Sequence, residues 1–251
     1  MTRSFRSGLL LAASALALIS HGGAARADAA GDKVLTAMDG ALNRAKTQYF
    51  EYDVINQEPG KAERKLGLQV RLKGEKRFTE FTAPADMKGT KILIMSPTQM
   101  YVFLPAFGKV RRIASSVSDQ GFLGMTFSQD DLASQAYNTT YQASIASEDA
   151  TAFHLVVTPK AGQTTPYAKI EIAVGKDKML PTELKYFNAA GVNVKTETRT
   201  GYTCEGNVCV PSELKMVDNT KGGASTRMVR TKWKVNEEMS DDLFSKRALG
   251  E

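Results

Sequence analysis

Of the side chains that could do chemistry in this 251-residue chain, the two cysteines are the most telling. Cys204 and Cys209 are separated by four residues that include Gly206-Asn207. That spacing fits a bridge closing a hairpin tip in an oxidising compartment, whereas a redox pair favours two intervening residues. A metal pair would need further ligands nearby, and beyond residue 27 the only histidine is His154. So short a loop adds on the order of 2 kcal/mol by chain entropy, enough to hold a hairpin in register. Ser212-Glu213-Leu214-Lys215 has the S-x-x-K spacing of penicillin-interacting serine enzymes, which place it at a helix start. Here it follows Pro211 in a strand-like run and lacks the partner motifs. His154 lies in the apolar run Ala152–Val157 without a serine or cysteine to activate. Asp130-Asp131 and Asp241-Asp242 read as helix-start charges, which the helix dipole favours. Neither catalysis nor a cofactor or metal is expected.

The richer signal is physical rather than reactive. Between Phe81 and Leu132 the chain concentrates Phe103, Leu104, Phe107, Phe122, Leu123, Met125 and Phe127, punctuated by Gly108, Gly121 and Gly124. Large apolar residues usually end in a core. In glycine-flanked, irregular backbone they also suit a surface on which something apolar docks. Burying an acyl chain there would gain about 0.8 kcal/mol per methylene. Trp233 joins these residues as an expected lipid contact. Beside them stands Arg111-Arg112, two neighbours that point to opposite faces of a strand. One of them could grip a phosphate or ester oxygen of a head group. The alternative is a pair of surface salt bridges worth little.

These residues must be held by strands. Leu66, Leu68, Val70 and Leu72 alternate with polar residues, as do Ile170, Ile172 and Val174, then Val192, Val194, Thr196 and Thr198, and finally Val229, Thr231, Trp233 and Val235. Turn signals recur every 10 to 14 residues or so, which favours antiparallel hairpins over crossover helices. The pattern predicts about eleven strands. Lys91–Met95 is apolar on both faces, so both of its faces need cover. An amphipathic helix is predicted over Asp32–Thr47, and a short helical patch near Ser128–Gln135, where Ser128 and Asp131 make a capping signal. The expected fold class is mainly β, a curved antiparallel sheet with helical lids.

The N-terminus carries Arg3 and Arg6, an apolar stretch over Gly8–Ile19, and Ala25-Arg26-Ala27. This is the layout of a secretory signal peptide cleaved after Ala27, which leaves residues 28–251 as a single domain. The apolar stretch is shorter than the roughly 20 residues of a membrane anchor, the rival reading. Without residues 1–27 the chain keeps 30 basic and 27 acidic residues, a net charge of about +3. Its lysines are dispersed, not clustered with aromatics, so nucleic-acid binding is excluded.

Pro84, Lys88-Gly89-Thr90, Tyr101–Ala106, Val110-Arg111-Arg112-Ile113, Gly124–Ser128 and Asp130–Leu132 occur in fixed order. In this the segment resembles the outer-membrane lipoprotein-sorting, LolA-like family of periplasmic proteins. The resemblance implies an unclosed antiparallel barrel capped by helices, which binds acyl chains of lipoproteins or other envelope lipids and carries them towards the outer membrane. It further implies the periplasm, an inner-membrane transporter as partner, transient membrane-surface contact and a monomer. A lipid-sensing or adaptor protein of the same fold is the alternative. An envelope hydrolase lacks a nucleophile.

Overall fold

The computed structural model describes residues 28–96, 98–113, 124–128, 131 and 136–250. Among them the period-two alternation becomes fifteen strands, more than the pattern alone predicted. The first wing comprises β1 (Thr47–Gln57), β2 (Arg64–Lys73), β3 (Lys76–Ala83), β4 (Lys91–Ser96), β5 (Gln99–Leu104) and β6 (Lys109–Ile113). The second begins with β7 (Tyr141–Glu148), β8 (Ala152–Pro159), β9 (Lys169–Gly175), β10 (Leu180–Phe187) and β11 (Asn193–Thr200). The short hairpin β12 (Thr203–Glu205) and β13 (Val208–Val210) follows, then β14 (Glu213–Asp218) and β15 (Ala224–Val235).

Thirteen of these strands form one antiparallel sheet in the order β6-β5-β4-β3-β2-β1-β15-β14-β11-β10-β9-β8-β7, with β12 and β13 pairing separately. The two wings meet along β1 and β15, which are in register over ten residue pairs. The sheet does not close, and its free edges β6 and β7 are consecutive in sequence. Between them in sequence lie the described residues 124–128 and 131, the seam segment.

Helix α1 (Ala29–Leu42) lies against β7, β8 and β10. It starts at Asp28, whose side chain accepts the Gly31 N–H, and ends five residues before the predicted boundary, where Thr47 begins to pair in β1. Its apolar stripe of Val34, Leu35 and Met38 is buried in the main core. Its acidic start covers the free edge. Asp32 Oδ1 accepts the Ala143 N–H at 2.8 Å, and Asp28 donates its own N–H to the Ala143 carbonyl at 3.1 Å. Unpaired edge groups are thereby satisfied. A Cβ at Gly31 would sit 2.6 Å from the Ala143 carbonyl oxygen, so glycine is what permits this approach.

The doubly apolar β4 is explained by two cores. Ile92 and Ile94 point into the main core, while Leu93 joins Phe78, Phe244 and Leu249 on the convex side. Cover there comes from residues 239–250, including helix α2 (Lys246–Gly250). Lys73 and Lys76 clamp this segment through Asp241 at 3.1 and 3.2 Å. Ser240 caps the turn that Asp241 and Asp242 open, in keeping with their reading as start charges.

Candidate functional site

Cys204 and Cys209 pair in register across the β12–β13 hairpin and are joined by the expected disulfide. Val208 and Val210 of this hairpin are buried, and the Asn207 carbonyl accepts from Arg44 just beyond α1 at 3.0 Å. The bridged hairpin thus holds the exit of α1. Ser212 precedes β14 and no helix, with its hydroxyl 3.3 Å from the Thr200 carbonyl. His154 is exposed, with Nε2 3.1 Å from Asp149.

The residues expected to meet lipid do not form one patch. Met125 and Phe127 are buried in the main core, where Trp233 packs against it. Leu104 shares the concave side of β5 with Val102 and Met100, whereas Phe103 faces the convex core beneath α2. Phe107, in the turn between β5 and β6, is 60% exposed. Phe122 and Leu123, like residues 1–27, lie outside the described residues. Of the two arginines, Arg111 is paired with Val102 on the concave side and Arg112 with Tyr101 on the convex side. Both are exposed on the edge strand. Arg111 lies 5.4 Å from the Phe107 ring, and Arg112 Nη2 donates to the Thr98 carbonyl at 2.9 Å.

The alternation of β11 misleads in an instructive way. Its Val and Thr positions suggested a buried face, yet the strand turns Lys195, Glu197 and Arg199 inward, opposite Tyr186, Leu184 and Leu214. A bulge in the β1–β15 pairing at Glu51/Tyr52 has a similar effect. It places Trp233 opposite Phe50 and Arg230 opposite Tyr52, so both point into the concave interior, 5.2 Å apart. A polar belt therefore crosses the middle of an otherwise apolar trough.

Residues 124–128 and 131 of the seam segment are tied to this belt and to the strands beside it. Thr126 donates its N–H to Thr226 at 2.8 Å and its hydroxyl to the Met216 carbonyl at 3.1 Å. Ser128 and Asp131 form the predicted reciprocal cap, at 2.7 and 3.1 Å, and Asp131 is helical. The Asp131 carboxylate also accepts from Lys195 at 2.7 Å and from the Tyr167 hydroxyl at 2.6 Å. Burial, with this carboxylate beside it, pushes the Tyr167 phenol far above its usual range. Tyr167 packs on Tyr186, whose hydroxyl donates to Glu197 at 2.7 Å. Glu197 in turn accepts from Arg199 Nε at 2.7 Å. Burial, the largest single influence, would lower the Arg199 guanidinium, but the Glu197 charge together with Tyr137, Tyr202 and Tyr186 holds the group well above its usual value. Buried charges are affordable when paired and hydrogen-bonded in this way.

Two further arginines of the belt have no carboxylate partner among the described residues. Arg77 of β3 and Arg230 both lie near the Tyr52 phenol, and the Nε of each is buried without a partner among the described residues. Burial pushes Arg77 down to about 10 and lowers Arg230. Arg230 Nη2 donates to the Thr203 hydroxyl at 2.5 Å. Beside Arg77 a cavity of about 140 Å³ opens beneath the α1–β1 loop, lined among others by Lys46, Thr47, Gln48, Tyr137 and Arg199. Tyr137 is held over it because Asn138 donates its N–H to the buried Asp39 of α1 at 2.7 Å. Sequence reading passed over Arg77. The available signal was an arginine in phase with Thr79 and Phe81, on the face of β3 that enters the core.

An open antiparallel half-barrel with a helix packed on its apolar side defines a LolA-like fold. Three solved structures share it. A DUF1329 family protein from Desulfovibrio piger superposes with a TM-score of 0.81 at 23% identity, covering 88% of this chain and 98% of its own. A domain assigned by its name to outer membrane lipoprotein sorting, from Vibrio parahaemolyticus, gives 0.79 at 20% identity, over 88% and 99% of the two chains. A LolA superfamily protein from Nitrosomonas europaea gives 0.72 at 19% identity, over 87% and 98%. No curated protein matches the chain. A family model described as an uncharacterized protein matches residues 73–251, and the chain belongs to that family.

Proposed function

We propose that the protein is a periplasmic carrier that holds an acyl chain of a lipoprotein or another envelope lipid on its concave face and moves it towards the outer membrane. The observation that carries this reading is the way the trough is shut. Apart from Arg77 and Arg111, the concave side of β1–β6 is largely apolar, from Val54 and Leu66 to Ile94 and Met100, and strand pairing does not close it. Met125 and Phe127 of the seam segment are buried in the main core to which this side belongs, and polar ties from Thr126 and Asp131 fasten the segment to β15, β14 and β11. Lifting that segment would bare a hydrophobic trough, and each methylene that replaces it recovers about 0.8 kcal/mol. The disulfide suits an oxidising compartment. The signal-peptide layout of residues 1–27 points the same way, and no described helix is long and apolar enough to cross a membrane. An inner-membrane transporter is the loading partner in this reading, the carrier acts as a monomer, and catalysis has no part in it.

Native mass spectrometry of the protein extracted from its own envelope should find lipid adducts, and brominated lipid should quench Trp233, the single tryptophan. Lipid-free protein with unquenched Trp233 removes the reading.

Phe107 has a separate place in it. Exposed at the β5–β6 tip, with Arg111 against its ring and Lys109 and Arg112 exposed close by, it suits an anionic bilayer surface. Phe107→Ser should weaken co-sedimentation with vesicles containing anionic lipid by roughly three- to tenfold, the worth of one partly inserted aromatic ring. Unchanged co-sedimentation would take the tip out of the membrane contact.

A further inference from the structure

The cavity beside Arg77 lies at the opposite end of the first wing's logic from the edge arginines, and its chemistry differs from theirs. Arg77 forms no ion pair and no hydrogen bond among the described residues, and its Nε is buried. Its neighbours at the cavity wall are Arg199, already matched by Glu197, and Lys46 at the exposed rim. Three cations thus face one carboxylate. The Tyr137 phenol, pushed up to about 12 by burial, stays a neutral hydroxyl there. About 140 Å³ is room for several waters at roughly 30 Å³ each, enough for a tetrahedral oxoanion but not for a whole acyl chain.

We infer that this cavity binds a phosphate group, with Arg77 as its principal ligand and Lys46, Arg199 and Tyr137 completing the shell. A planar guanidinium offers paired N–H donors that match phosphate oxygens. The local surplus of about two positive charges matches the charge of roughly −1.5 to −2 of a phosphate monoester near neutral pH. The group could be free phosphate or the phosphomonoester head of a lipid. Only the second source rests on the carrier reading above.

Trp233 reports on the site, because its Nε1 donates to Gln48, a cavity-wall residue, at 3.3 Å. Titrations of the full chain, followed by Trp233 emission and calorimetry, would use three probes: inorganic phosphate, dodecyl phosphate and uncharged dodecyl maltoside. The proteins would be the parent, Arg77→Met, Arg77→Lys and the charge control Lys61→Met in the exposed β1–β2 turn.

Binding of either phosphate probe should fall at least roughly tenfold in Arg77→Met, fall less in Arg77→Lys and not change in Lys61→Met, while maltoside binding is unaffected. Dodecyl phosphate binding without inorganic phosphate binding assigns the site to a lipid head. Binding of inorganic phosphate assigns it to the phosphate group itself, whatever becomes of the carrier reading. Dodecyl phosphate bound equally by the parent and Arg77→Met overturns the site and leaves the carrier reading standing. If no alkyl probe binds while inorganic phosphate does, the carrier reading falls and the site survives. If no probe binds the parent, both fall. Because the parent's titrations stand alone, a misfolded Arg77→Met still leaves Arg77→Lys to decide.

Discussion

Lys195→Met should melt roughly 10 °C below the parent, the largest loss expected from any single substitution in the polar belt. The Lys195 and Asp131 side chains are 10% and 1% exposed and 2.7 Å apart. Removing the ammonium strands a buried carboxylate, and breaking a buried pair from one side costs about 3–5 kcal/mol. For a protein of this size each kcal/mol moves the melting temperature by about 2–4 °C. The Tyr167 hydroxyl and the Ser128 N–H remain on the carboxylate but carry no charge, so they offset only part of the loss. The double variant Lys195→Met/Asp131→Leu should recover only part of it, since it removes the stranded charge but leaves the Tyr167 hydroxyl and the Ser128 N–H without their acceptor. A loss below about 2 °C in the single variant, by calorimetry, would mean that water reaches Asp131 and that the pair does not fasten the seam segment.

The elements that the sequence made legible are those in which one physical rule acts alone. Helix α1 shows its apolar stripe because it has one wet face. Strands β2 and β9 alternate cleanly because one side faces the apolar core and the other is polar. The disulfide could be read from a turn and a spacing. Legibility failed where two rules compete. On β11 the charged residues point inward, and from hydropathy alone Lys195, Glu197 and Arg199 look like a solvent face. Lys195 pairs with Asp131, 64 residues away, and Glu197 accepts from Tyr186, 11 residues away, while the near pair Glu197–Arg199 would look the same on a solvent face. On β15 the bulge changes the phase of the alternation halfway along, and Arg230 leaves the polar side it shares by count with Lys232 and Lys234. Phe103 looked like a ligand contact because its loop is rich in glycine and aromatic residues. It faces the convex core instead, under a C-terminal segment whose docking depends on Lys73 and Lys76, far upstream.

The same competition between burial and charge decides what to expect at Arg77. Arg77→Met should melt above the parent at pH 7, by roughly 3–6 °C, or about 1–2 kcal/mol, while it loses the phosphate probe. Burial holds the guanidinium at about 10, well below its ordinary value, so the charged form is disfavoured in the folded state. The sign follows from proton counting. Between those two values the unfolded chain binds more protons than the folded one, so this residue's contribution to stability rises with pH there. Below about pH 10 the full penalty applies, and that is where the variant's advantage is complete. From there up to the guanidinium's ordinary value the gap between variant and parent should close. Of the groups facing Arg77, Tyr52 of β1 and Tyr137 are pushed up to about 12 by burial and remain neutral through the midpoint of that closure. Lys46 and Arg199 face the cavity in both proteins, so they alter the two melting curves alike. A protein that becomes more stable when a charged side chain is removed keeps that side chain for something other than folding. If instead Arg77→Met melts below the parent at pH 7, the guanidinium stabilises the fold, and its lack of a partner carries no ligand's signature.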